Sequence, residues 1–150
     1  MISKYFYIAK KDLFPINRSL TGKGVLKTLK IIKKEFSKLK IINVKSNSKV
    51  FDWNVPPEWN VKDAYVIDKN NKKIIDFKEN NLHLIGYSAP IKSYLTKKEL
   101  FKKLYFLRKQ PNAIPYITSY YKKNWGFCIS YNQYKKNIKK IYENYNIFYN

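Results

Sequence analysis

The chain is poor in the residues that usually carry metal or nucleophilic chemistry. It has one cysteine, Cys128, one histidine, His83, and two arginines, Arg18 and Arg108, among 150 residues. A single cysteine excludes an intrachain disulfide. One Cys and one His cannot fill a structural zinc site, which takes about four such ligands. A Ser-His-Asp triad would need His83, and nothing around it resembles a nucleophile elbow. No run of residues approaches the roughly 18 to 20 apolar positions of a membrane span. The apolar stretch near Met1 is too short for a signal-peptide core and has no small-residue cleavage site. The chain therefore reads as soluble, reducing and cytoplasmic.

Charge and aromatics are abundant. There are 31 basic against 10 acidic side chains, a net +21, and aromatic residues make 17% of the chain. Such a charge suggests nucleic acid. Its composition points elsewhere, because base edges and phosphate forks favour arginine, and 29 of the basic residues are lysine. Lys, Asn, Ile, Tyr and Phe, all with A/T-rich codons, account for 86 of the 150 residues. Codon bias explains the lysines without selection for binding. The lysines are spread along the chain, and the dense runs Lys27–Lys40 and Lys135–Lys140 read as solvated helix faces. The sequence thus implies no specific nucleic-acid partner and no membrane partner.

At this length and with 45% apolar residues the chain can bury a real core. Residues 1–20 read as an irregular lead-in. Val25, Leu26, Leu29, Ile32 and Phe36 recur at helical spacing after Thr21-Gly22, with lysines on the other face. Residues 40–44 then read as a strand, as do 49–53. Pro56-Pro57 makes a rigid connector. Residues 61–67 and 73–77 flank the turn cluster Asp68–Asn71 and read as a hairpin. Residues 82–87 read as another strand. Thr96…Glu99 and Ser130…Gln133 fit capping boxes, opening helices over 97–106 and from about 131. Residues 125–130 read as a buried strand and 145–149 as a last strand. The fold class is α+β.

The candidate sites each have a plain alternative. His83 lies in an apolar alternation and suits either a structural imidazole or a general acid/base. Cys128, among apolar neighbours, reads as an inert buried thiol. The carboxylates show no clear catalytic or metal-binding pairing. Tyr116, Tyr120, Tyr121 and Trp125, with Trp53 and Trp59, read as core and rim or as a stacking surface for a sugar or peptide. Arg18, retained where lysine is the default, suggests a need for its guanidinium fork, on a bound carboxylate or an internal acid.

Five segments occur in an order that carries a resemblance. They are Leu13–Gly24 (LFPINRSLTGKG), Val50–Tyr65 (VFDWNVPPEWNVKDAY), Asn81–Ser88 (NLHLIGYS), Pro115–Tyr121 (PYITSYY) and Trp125–Cys128 (WGFC). Together they resemble the bacterial aminopeptidase-like family, which has an M28-type zinc peptidase domain and an inserted β-rich domain of unknown function (DUF4910/DUF2172-like). It is often met among polysaccharide biosynthesis genes. The resemblance runs from about residue 13 to 149.

It implies that residues 1–45 start the peptidase domain (loop, helix, strand), that 46–134 form the inserted β-rich domain, and that 135–150 are the returning helix and strand of the peptidase domain, truncated. The fold implied is a β-rich inserted module joined to an incomplete α/β (M28-like) peptidase element. The family's zinc ligands lie downstream of residue 150, so the resemblance implies an N-terminal fragment without a metal site and without catalysis of its own. Zinc would belong to the complete family member. The implied partners are the missing C-terminal peptidase portion and a peptide or glycan-like substrate. Arg18, His83, Tyr120, Tyr121 and Trp125 would face that substrate cleft. Asn17 stands where members often have Cys. Two other readings are a non-catalytic glycan- or peptide-binding module and a lysine-driven polyanion binder.

The charge alone predicts weak, sequence-independent binding to a random DNA duplex. In a gel-shift or anisotropy titration it should weaken at least about tenfold between about 50 and 200 mM salt. Salt-insensitive or sequence-selective binding would contradict this origin.

Overall fold

A computed structural model describes residues 3–120, 122–139 and 145–149, with backbone alone for Lys139 and the last five. Helices and short strands both occur, and the chain is α+β. It falls into two units, Met1–Asn60 and Val61–Asn150. No helix among the described residues is long and apolar enough to cross a membrane.

The first unit opens with α1 (Lys4–Ile8), where a lead-in without regular structure was expected. Ser3 caps it, its hydroxyl accepting from the Phe6 N–H at 3.3 Å. Lys4 pairs with Glu35, and the Tyr5 ring stacks on Phe36 at 5.8 Å. These contacts hold the segment helical against a neighbour, which local propensity does not reveal. The chain continues through one π-helical turn, Ala9–Leu13.

The expected amphipathic helix is α2 (Lys23–Glu35). Its entry is tied to the Pro57–Asn60 segment. Thr21 Oγ1 donates to the Pro57 carbonyl and accepts from the Trp59 N–H, and Asn60 Oδ1 accepts from the Lys23 N–H at 2.7 Å. Gly22 sits at φ +100°, and a Cβ there would meet the Trp59 carbonyl oxygen at 2.2 Å; one on Gly24 would meet that of Asn17 at 1.9 Å. The approach is too close for any other residue.

Residues 40–44 form no strand, contrary to the sequence pattern. A strand needs a hydrogen-bonding neighbour, and none pairs with it among the described residues; Ile42 and Val44 stand 81% and 60% exposed. Residues 49–53 form no single strand either. They make a tight hairpin of β1 (Lys49–Val50) and β2 (Trp53–Asn54), with Phe51 at φ +51° in the turn. No residue from 3 to 60 is buried.

The second unit holds the core. β3 (Ala64–Ile67) and β4 (Lys73–Asp76) form the expected hairpin. Asp68 Oδ1 accepts from the N–H groups of Asn70 and Lys72, and Asn71 takes the left-handed conformation at φ +60°. Asn81–His83 is a 3₁₀ turn where a strand was expected, and only Leu84 and Gly86 make bridges. β5 (Ile91–Leu95) was missed by the sequence pattern, and so was its sheet.

The capping box at Thr96 and Glu99 is present, but α3 ends at Phe101 (Lys97–Phe101), well short of residue 106. Leu104 is taken instead by β6 (Leu104–Tyr105), which pairs in parallel with β7 (Phe127–Cys128). The second capping box, Ser130 and Gln133, opens α4 (Tyr131–Gln133), which runs into a π-helical stretch, Tyr134–Lys139.

β8 (Tyr145–Tyr149) lies between β3 and β5, antiparallel to each, giving the order β4-β3-β8-β5. The strand assigned by resemblance to the returning peptidase element thus pairs on two sides with strands of the middle module. Ala64, Val66, Ile75, Ile85, Leu100, Phe127, Ile129 and Ile138 make the core.

Asp76 closes β4 with a buried, ion-paired carboxylate. Burial pushes its carboxyl upward, but the Lys73 ammonium at 2.6 Å and the Lys78 N–H at 3.0 Å outweigh this and hold it below the ordinary carboxylate value. Its contribution to stability is therefore complete above about pH 4 and is lost as pH falls through the depressed value. Asp76→Asn should lower the denaturant midpoint at pH 7 and flatten the midpoint's fall in acid. An unchanged acid profile would contradict the assignment.

Candidate functional site

His83 is 2% exposed, at the end of the 3₁₀ turn. Its Nδ1 lies 2.7 Å from the Cys128 carbonyl and its Nε2 lies 3.4 Å from Gln133 Nε2. The capping box fixes the proton. Gln133 Oε1 accepts from the Ser130 N–H at 2.9 Å, which turns its NH₂ toward His83. Nε2 then accepts, and Nδ1 carries the hydrogen that goes to the carbonyl. Every polar atom of the imidazole is used within the fold. The arrangement holds α4 against β7 and offers no free nitrogen for acid/base work.

Cys128 is fully buried on β7. Burial pushes its thiol up to about 12, against a smaller downward pull from the Ile117 backbone. A thiolate nucleophile needs the opposite shift.

Arg18 lies exposed in the first unit, and its Nη1 donates to the Leu13 carbonyl at 2.6 Å. It ties its own loop, which neither sequence reading anticipated. Trp125 is half-buried, with the Lys103 ammonium 5.3 Å from its ring centroid; that ammonium also donates to Asn124 Oδ1 at 2.7 Å. Tyr121 lies outside the described residues.

Tyr120 belongs to a group. Its ring meets Tyr87 edge-on at 5.2 Å, and its hydroxyl lies 3.2 Å from that of Tyr116. Tyr87 sits at the third position of the turn Ile85–Ser88, closed by the Ser88 N–H to the Ile85 carbonyl at 3.2 Å, with φ +60°. Ser119 clamps the turn. Its hydroxyl faces the Gly86 and Tyr87 carbonyls at 3.2 and 2.9 Å, and its N–H donates to the Gly86 carbonyl at 2.9 Å. The structure thus brings Tyr120 together with Tyr116, Tyr87 and Ser119. Tyr87 was read only as part of a motif; the one local signal is a glycine placed one residue before the position that needs it.

Six of the described carboxylates serve structure. Asp63 pairs with Lys78, Asp76 with Lys73, and Glu35 with Lys4; Glu58 accepts from Asn60, Asp68 holds its turn and Glu99 its cap. Among the described residues no three His, Cys, Asp or Glu side chains come together as a metal site. These residues do not fit zinc.

Comparison with known proteins gives this α+β chain its class. The family model described as a domain of unknown function, DUF2172, matches residues 58–147, and the chain belongs to that family. A Clostridium acetobutylicum protein, named for polysaccharide biosynthesis and an aminopeptidase-like domain, is 50% identical over 133 residues. The match covers 89% of this chain and 30% of that protein. A crystal structure named as a peptidase from Clostridium acetobutylicum superposes with a TM-score of 0.89 at 46% identity, over 96% of this chain and 33% of that one. Those names belong to the two relatives, and the chain spans about a third of their length.

His83→Ala should leave the buried Cys128 carbonyl and the Gln133 amide unpaired and cost about 2–4 kcal/mol in denaturant unfolding. A loss below about 0.5 kcal/mol would show that the imidazole does not hold this junction.

Proposed function

We propose that this chain is the N-terminal, non-catalytic part of an aminopeptidase-like zinc hydrolase of M28 type, whose metal ligands lie in polypeptide outside these 150 residues. The observation that carries it is the first unit. No residue from 3 to 60 is buried as a whole, yet eleven large apolar residues stand exposed there, among them Phe14, Leu26, Phe36, Ile42 and Trp53. An amphipathic helix gains its stability by burying its apolar face. Here that face waits for a covering layer, and the relatives have about twice as much further polypeptide from which to supply one.

In this reading residues 1–45 begin the peptidase domain, 46–134 are the inserted domain, and 135–150 lead back, with the last strand completing the inserted sheet. The substrate class follows the relatives' names only as far as a peptide-like amide. Tyr120, Tyr121 and Trp125 in the second unit, and separately Arg18 in the first through the Leu13–Gly24 loop, are the candidate substrate contacts of this reading.

Purified 1–150 should neither hydrolyse leucine p-nitroanilide nor retain zinc after dialysis. Joined to the remaining polypeptide of the Clostridium acetobutylicum relative, it should retain about one or two zinc ions and gain turnover. Zinc or turnover in 1–150 alone, or a folded fusion without metal, would overturn the proposal.

A further inference from the structure

Residues 40–44 of the first unit stand apart from the rest of its backbone. Among the described residues no hydrogen bond or ion pair involves any of the five. Both flanks are tied. The Leu39 N–H donates to the Phe36 carbonyl at 2.9 Å, closing the turn out of α2. The Lys45 carbonyl accepts from the Ser48 N–H at 3.2 Å, where the chain enters the β1–β2 hairpin. Between these ties, five N–H and five carbonyl groups are held in place and paired with nothing in the described protein.

The side chains are those of a strand. Ile41, Ile42 and Val44 are β-branched, which suits a pleated ribbon better than a helix. Residues 36–39, between α2 and this segment, match the short connections that join helix to strand. In a strand Ile42 and Val44 share one face and Ile41 takes the other. Exposure already divides them in this way: Ile41 is half-buried, whereas Ile42 and Val44 are exposed. An unpaired backbone carrying such side chains is a template for a second strand.

Charge decides between two sources of that strand. A second copy of the segment, aligned antiparallel over its whole length, sets Lys40 opposite Lys45 of the other copy; aligned in parallel register, each lysine faces itself. Like charges directly opposite are destabilising, and each chain carries +21. The relatives, by contrast, are about three times as long as this chain.

We propose that residues 40–44 are completed as a β-strand by a strand of the further polypeptide, one with acidic or uncharged residues opposite Lys40 and Lys45. The layer that covers α2 is then a β-sheet which this segment joins through its backbone. This deepens the hydrolase reading and rests on it.

The test compares amide hydrogen exchange in the 150-residue chain and in the same chain joined to the remaining polypeptide of the Clostridium acetobutylicum relative. In the chain alone, the amides of residues 40–44 should exchange near the unstructured rate at every protein concentration. In the joined protein they should slow at least about a hundredfold, alternate amides for an edge strand and all of them for a central one. Asn43→Pro and Val44→Pro give a second readout. Neighbouring N–H groups of a strand point to opposite sides, so at least one of the two removes a ladder bond. That variant should lower the melting temperature of the joined protein by at least about 3 °C more than that of the chain alone. Exchange at the unstructured rate in a joined protein that retains zinc and protects α2 would overturn the inference and leave the hydrolase reading standing. So would two proline variants that cost the joined protein no more than the chain alone. Protection that rises with concentration in the chain alone would assign the segment to a second copy and overturn it too. A joined protein that neither retains zinc nor protects α2 would remove the hydrolase reading, and this inference with it.

Discussion

Backbone groups in the buried segment Gly126–Ser130 have no water to bond, so protein must satisfy them. Four parts of the second unit are recruited to do so. The Phe127 and Ile129 N–H groups donate to the Lys103 and Tyr105 carbonyls, which draws α3 and β6 alongside. The Ile85 N–H reaches the Gly126 carbonyl, and the His83 ring reaches that of Cys128. Ser130 ends the segment by capping α4. The 3₁₀ turn, the strained Ile85–Ser88 turn and the tyrosine group are positioned from this one strand. Its demands explain why the chain's single histidine and single cysteine, the residues most suggestive of chemistry, are consumed in architecture.

The first unit answers to the opposite condition. Its hydrogen bonds are well made at the entry to α2, where Thr21, Gly22 and Asn60 fit one another closely. Its apolar surface is not enclosed. A segment with this much exposed hydrophobic area marks an interaction surface in a folded protein, and the proposed further polypeptide would cover it.

Local chemistry was legible in the sequence and distant pairing was not. The caps at Thr96 and Ser130, the Asp68–Asn71 turn, the stripe on α2 and the buried run around Phe127 could be read because each depends on residues a few positions apart. Residues 40–44 have strand composition and make no strand, because pairing requires a neighbour that composition does not reveal. Leu104 fits the helical spacing of Leu100 and Leu107 yet is claimed by Phe127, a long-range partner. Strand β5 escaped notice because its alternation, Ile91 to Leu95, is short and its pairing lies with residues 145–149. Of the site residues, Tyr116 and Tyr120 were grouped by composition and do meet, but Tyr87, which packs on Tyr120, was not in that group, and the contacts of Arg18 and His83 depended on single carbonyls at Leu13 and Cys128.

The central claim is that residues 3–60 lack a core of their own and take one from further polypeptide of an aminopeptidase-like protein. Amide hydrogen exchange across the isolated 150-residue chain tests it most directly. The account predicts that amides of Lys23–Glu35 exchange by local opening, with protection at least about a hundredfold below that of β3, β4 and the Gly126–Ser130 segment. Protection of α2 equal to that of the core strands would contradict it, because the first unit would then be complete as it stands.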